Sequence, residues 1–219
     1  MIFMMVRQKS GVPMTVMQRL LEIKSYKTVW LMGHKIRKAM ADRDEACQLA
    51  GLIEMDDGFI ASDKTCKKGR GSKKRFRIVV SVENRDKSAG FSAIRHVPVV
   101  NGEQVLSLAQ KKIAPGSLIR THGWQAYLSL GTDSYCHEKV IFRRGSRGLQ
   151  KFRWVTGMIA RVKAGILGIH RGVSEKHLQR YLSEFCYRFN TRFWEPQLFD
   201  RTLTACVDTS TITYKEIIL

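Results

Sequence analysis

The chain has 219 residues, of which 44% are hydrophobic and 9% aromatic, and its 38 Lys and Arg against 19 Asp and Glu give a formal charge of +19. That apolar share supplies a packed core for one ordinary domain plus an appendage and excludes disorder as the main state; with no apolar run of about 18 residues and no signal-peptide core in 1–6, a soluble cytoplasmic protein is expected. The charge makes polyanions the expected partners, and because the basic residues are spread along the chain rather than gathered on one terminal amphipathic helix, nucleic acid is favoured over a membrane surface.

From Val12 to Ile23, Val16, Leu20 and Ile23 recur at helical spacing, and Ser25 is placed to cap a second helix reaching Ala41, with Tyr26, Val29, Trp30, Ile36 and Met40 as its stripe. Two short helices joined by a tight turn resemble part of a helix-turn-helix, and a plain helical hairpin with a basic face fits the spacing equally well. Residues 1–50 are accordingly expected as a helical segment and 51–219 as the main domain. Leu52 to Ile60 alternates as a strand, with Leu52, Glu54 and Asp56 on one face and Ile53, Met55, Asp57 and Phe59 on the other.

Lys64 to Arg77 is a basic connection that holds Lys67, Lys68, Arg70, Lys73, Lys74 and Arg75. Phe76, Ile78, Val80 and Val82 mark a second strand and Phe91 to Val100 a third, with Glu83 to Gly90 as the turn. A helix is expected over Glu103 to Ile113, closed by Pro115 and Gly116, then a strand over Leu118 to Thr121, a turn and short helix from His122, and a last strand over Lys139 to Phe142. Arg143 to Arg153 is a second basic connection, with Arg143, Arg144, Arg147 and Lys151, and beyond it Ser174 caps a helix striped by Leu178, Tyr181, Leu182, Phe185 and Phe189.

The resulting β-β-β-α-β-α-β order, with a carboxylate in mid-strand, is the outline of a ribonuclease H-like fold: a mixed five-stranded sheet with flanking helices. Three segments carry a closer resemblance. Glu54-Met55-Asp56-Asp57-Gly58-Phe59 resembles the E-[VLM]-D-E-x-[FY] block of bacterial insertion-sequence transposases of the ISXO-like branch. Thr121-His122-Gly123-Trp124 with Tyr127 resembles their T-D-G-W-x-x-Y block. The run from Ile159 through Lys163, Gly168, His170, Val173-Ser174 and Lys176-His177-Leu178 to Asn190 resembles the third, in which an Asn two residues before a Lys closes the site. The order of the blocks spans about 11–213, and the chain begins inside the helix-turn-helix that the branch commonly carries, without ribbon cysteines.

What the resemblance implies is a DDE-type transposase of an insertion sequence, acting on double-stranded DNA in the bacterial cytoplasm, at the nucleoid, as a homodimer on the element's ends. Its chemistry is phosphodiester nicking and strand transfer at two Mg2+ or Mn2+ ions, which hard bridging oxygens hold in line with the reacting phosphate. Residue by residue, Asp56 matches the first metal-binding Asp, His122 stands where the second Asp is expected, Arg161 stands where the Asn is expected, and Lys163 matches the Lys that follows.

An imidazole cannot bridge two hard cations and a guanidinium repels them, so this copy is expected to be catalytically impaired, with weak metal binding. A non-catalytic DNA-binding protein on the same fold shares every feature except positions 122 and 161, and a basic ribonucleoprotein component is disfavoured by the three ordered blocks. Asp57, Glu54 and Glu184 are the carboxylates that could substitute. On the bland side, His122 fits an ordinary turn histidine, Arg161 and Lys163 fit phosphate contacts, and Trp124, Tyr127, Tyr181, Phe185 and Phe189 fit core positions better than base-stacking ones. Cys47, Cys66, Cys136, Cys186 and Cys206 lack any C-x-x-C pair and read as reduced small residues rather than a zinc or disulfide framework.

Overall fold

The computed structural model describes residues 1–62, 75–131, 134–141 and 151–218. Three helices open the chain: α1 (Ile2–Arg7), α2 (Met14–Leu20) and α3 (Tyr26–Glu45). The expected first helix over 12–23 is shorter because Pro13 sits in an extended conformation at its start and Glu22 takes φ 52, which ends the helical run. The expected second helix is longer, running to Glu45, and the Ser25 hydroxyl does cap it by accepting from the Thr28 N–H at 3.3 Å.

The sheet consists of β1 (Leu52–Ala61), β2 (Arg75–Arg85), β3 (Ser88–Val97), β4 (Leu118–His122) and β5 (Cys136–Val140), in the spatial order β3-β2-β1-β4-β5. β1, β2 and β3 form an antiparallel meander, whereas β4 runs parallel to β1 and β5 parallel to β4. That order and mix of directions is the ribonuclease H-like arrangement. The turn between β2 and β3 is Asp86-Lys87 rather than the eight residues expected, because Asp86 adopts φ 61 and lets Arg85 pair directly with Ser88. β5 begins three residues upstream of the expected 139–142 and ends at Val140, which packs on the core; His137, Glu138 and Lys139 are polar, and Glu138 pairs with Arg120 across the ladder, so no apolar alternation marks the strand. Of the first basic connection, Arg75 and Arg77 belong to β2, and 64–74 lie outside the described residues, as do Arg143, Arg144 and Arg147 of the second.

Each face of the sheet buries its own core. Ile60, Ile78, Val80, Val82 and Ile94 pack under α5 (Arg153–Ile169) and α6 (Glu175–Asn190). Ile53, Met55, Val79 and Ile119 pack under α4 (Gly102–Lys112) and a 3-10 turn at Gln125–Leu130, which supplies Tyr127. The alternation along β1 assigns its even residues to the α5 side, as the sequence pattern predicts. α5 has no counterpart among the expected elements, although Val155, Met158, Ile159, Val162 and Ile166 form its buried stripe at helical spacing.

A third core joins the first fifty residues to the rest: Met5, Met14, Met17, Val29 and Met40 meet Tyr187 of α6 and Leu198 of α7 (Leu198–Asp208). The chain ends in α8 (Tyr214–Ile218). Among the described residues no helix is long and apolar enough to cross a membrane.

Candidate active centre and nucleic-acid interface

Parallel pairing of β1 with β4 places Met55 opposite Thr121, so the next pair along, Asp56 and His122, lies side by side on the α5 face. Asp56 Oδ2 stands 3.2 Å from His122 Nε2, and Asp56 Oδ1 accepts the Asp57 N–H at 2.8 Å. The His122 ring stacks on Phe152, with centroids 4.0 Å apart and planes 17° apart. Both carboxylate oxygens of Asp56 are therefore engaged, and the imidazole is held against an aromatic wall at the entrance to α5.

One pair back along the same face, Glu54 is fully buried, and its Oε2 accepts the N–H groups of Trp154 and Val155, each at 2.9 Å, while Oε1 accepts from Asn84 Nδ2 at 2.8 Å. These N–H groups are in the first turn of α5, which has no side-chain cap of its own, so Glu54 takes that role and meets the positive end of the helix dipole. Burial raises the Glu54 pKa, and the three hydrogen bonds and the Arg120 charge only partly offset it. Arg120 is the register partner of Glu54 on β4 and of Glu138 on β5. Arg120 Nε reaches Glu138 Oε2 at 2.9 Å and Lys151 Nζ reaches Glu138 Oε1 at 3.3 Å, completing a row of alternating charge across three strands. Arg120, Glu138 and Phe152 were not singled out by the sequence; a period-two reading of β4 and β5 against β1 would place the first two together.

The other carboxylates expected as substitutes are committed elsewhere. Asp57 lies on the opposite face, where Tyr127 Oη donates to its Oδ1 at 3.2 Å; burial first, and Asp56 second, raise its pKa. Glu184 is buried on α6, with Oε2 accepting from Arg37 Nε at 2.7 Å and Oε1 at 3.5 Å from Arg188 Nε. Burial would raise its pKa, but the two guanidiniums overcome that and the net shift is downward.

Among the described residues the donor set at Asp56 does not fit a pair of hard divalent ions. One carboxylate with both oxygens engaged and one imidazole supply too few oxygen ligands and none that bridges. Among the described residues no group of three or more His, Cys, Asp or Glu is arranged to hold a metal ion.

Arg161 does not join this group. It projects from the exposed side of α5, opposite the stripe that packs on the sheet, and lines a cleft with Arg7, Lys9, Arg188 and Arg192 that neither Asp56 nor His122 lines. Lys163, two residues on, is half-buried. Of the expected DNA-contacting residues, Arg75 opens β2 and Lys151 holds Glu138, while Lys67, Lys68, Arg70, Lys73 and Lys74, like Arg143, Arg144 and Arg147, lie outside the described residues. The end of α6 is paired internally: Asn190 bridges Ser92 and Asp44, Arg188 donates to the Gln8 and Lys9 carbonyls, and Arg192 donates to the Phe189, Ala89 and Gly90 carbonyls.

Residues 48–190 match the family described as ISXO2-like transposase domain. A search of curated proteins found no match. Among solved structures, the catalytic core domain of BIV integrase is similar at 17% identity over 61% of this chain and 82% of that one, with a TM-score of 0.35. A pre-cleavage Mos1 transpososome is similar at 11% identity over 92% of this chain and 76% of that one, with a TM-score of 0.36. The family match covers well over half of the chain and contains β1, β4 and the Asp56 and His122 pair they align, so the chain belongs to the ISXO2-like transposase family.

Proposed function

We propose that this chain is an insertion-sequence transposase that binds double-stranded DNA and whose strand-cleavage centre is impaired, with Asp56 as the remaining family carboxylate and His122 in the position of its lost partner. The carrying observation is the pair itself: the oxygen that would face a second metal-binding carboxylate instead faces His122 Nε2 at 3.2 Å. Glu54, the nearest other carboxylate on that face, already caps α5 and cannot turn toward Asp56 without uncovering two buried N–H groups. DNA binding is supported by the family membership and by the net charge of +19, since each Lys or Arg set against phosphate releases a counterion.

The test pairs a binding curve with a cleavage assay. Affinity for a blunt duplex is expected to fall by at least about a hundredfold between roughly 50 and 200 mM salt, with a shallower slope when Lys73, Lys74 and Arg75 are neutralised together. Supercoiled plasmid carrying the element's ends should stay intact with Mg2+ or Mn2+. Salt-independent binding would refute the DNA reading. Nicking by the unaltered chain that Asp56→Ala abolishes would refute the impairment.

A further inference from the structure

A cleft of about 760 Å3 lies on the side of α5 away from the sheet, walled by α1, α5, α6 and the start of α7. Its size is that of a small-molecule site, roughly 300–1,000 Å3. Five cations line it, namely Arg7, Lys9, Arg161, Arg188 and Arg192, against one carboxylate, Glu195. Arg7 reaches Glu195 at 3.9 Å and Arg188 is offset by Glu184, so Glu195 leaves most of the positive charge uncompensated. The crowding is felt electrostatically: burial first, then the Arg85 and Arg161 charges, pull the Arg192 pKa down to about 10, which still leaves it charged at neutral pH.

The floor is apolar. Phe185 and Phe189 are half-buried there; the Arg192 guanidinium lies 3.7 Å over the Phe189 ring and 4.1 Å over the Phe193 ring and donates to the Phe189, Ala89 and Gly90 carbonyls, so it covers Phe189 and leaves Phe185 as the ring that faces the cleft. The α5 wall is made of Ala164 and Gly165, and a Cβ added at Gly165 would meet nothing within 4 Å. A ring can therefore approach the helix backbone closely on that side.

From this juxtaposition of exposed cations, a phenyl ring and a side-chain-free helix wall, we propose that the cleft binds one unpaired nucleotide of a DNA strand, its phosphate among Arg7, Lys9 and Arg161 and its base against Phe185. This rests on the DNA-binding reading above. Duplex DNA presents phosphates and groove edges but no free base face, whereas an unpaired base offers the face that aromatic and guanidinium planes stack on. The core assignment holds for Phe189, which Arg192 covers, and is half of the account for Phe185, whose ring also has a side on the cleft.

The experiment compares the full chain with Gly165→Phe, which fills the cleft without changing charge and replaces a helix-interior glycine by a better helix former. The probes are a blunt fluorescein duplex and the same duplex with a three-nucleotide overhang containing 2-aminopurine. The unaltered chain is expected to prefer the overhang by about tenfold and to change the 2-aminopurine emission on binding. Gly165→Phe should bind the blunt duplex within twofold of the unaltered chain, with preference and emission change both gone. Arg161→Gln, an exposed change, should also reduce the preference. Blunt duplex bound with no overhang preference, or a preference that survives Gly165→Phe, overturns the cleft assignment alone. Absence of any duplex binding by the unaltered chain overturns the DNA reading as well. Displacement of the overhang by polyglutamate at lower concentration than by a single strand of equal charge would give the cleft to acidic peptides and likewise overturn the proposal.

Discussion

His34 shows how a single residue sets a condition on the molecule. It is fully buried between α3 and α6, with Trp30 and His177 tilted against its ring and Tyr181 edge-on to it, and neither ring nitrogen has a hydrogen-bond partner among the described residues. Burial first, then the charges of Arg37, His177 and Arg180, lower its pKa to about 2; His170, across Tyr181, is lowered to about 4 chiefly by burial. Both are neutral in the fold, while in the unfolded chain they take up protons near the ordinary value of about 6.5. The unfolded state therefore binds more protons below that pH, and stability falls as pH drops from about 6.5 toward 4, each histidine contributing up to about 1.4 kcal/mol per pH unit. Above about 7 the effect vanishes. His34→Phe keeps an aromatic ring and removes the orphaned nitrogens, so it is expected to raise stability by about 1 kcal/mol at pH 8 and by more at pH 5.5. Urea unfolding at the two pH values checks this, and an unaltered pH slope in the variant would remove His34 from the account.

At the scale of elements, the approach of α5 to the sheet is what assembles the centre. Its first turn is held by Glu54, and its first buried ring, Phe152, is what His122 stacks on. Removing the cap should therefore loosen both. Glu54→Ala leaves two buried N–H groups and Asn84 without their acceptor and is expected to cost about 2–4 kcal/mol in urea unfolding, whereas Glu54→Gln keeps an acceptor and should cost about half as much. Equal losses in the two variants would mean that charge, not acceptor geometry, fixes α5. The strands and their faces were legible because β1, β2 and β3 alternate and each face meets its own helices. α5 was not, although its stripe is regular, because the basic run before it reads as a connection and its outward side mixes Arg153, Thr156 and Arg161 with Gly157, Ala160, Ala164 and Gly165, which blurs the polar face that usually marks an amphipathic helix. β5 was misplaced because its pairing rests on Arg120 and Glu138, a relation across strands that no local window contains.

For the whole molecule, the question is whether position 122 alone separates this chain from a metal-binding member of its family. Motif matching put the third site residue at Arg161, two residues before Lys163, and a repair on that basis would change both 122 and 161. The fold changes the prescription. Arg161 faces a cleft with Arg188 and Arg192, so neutralising it changes the charge of that cleft and is expected to leave the Asp56 neighbourhood as it was. The place of Asp56 in mid-strand on the α5 face was legible from the alternation of its block; that Arg161 stands apart from it was not, because spacing to a Lys fixes a position in the sequence, not a side of the helix. His122→Asp by itself sets a second carboxylate beside Asp56 on an adjacent parallel strand, about 4.8 Å away across the ladder, with oxygens able to share a cation. The two like charges should lower the melting temperature of the metal-free variant and be relieved by metal, so Mn2+ is expected to bind measurably in calorimetry and to raise that temperature. The unaltered chain should show neither effect. Asp56→Ala in the His122→Asp background should remove both, and adding Arg161→Asn should change neither. A His122→Asp variant that binds Mn2+ no better than the original would mean that the β1 and β4 carboxylate positions do not converge on one ion, and Asp56 would lose its place as the family's metal-binding residue.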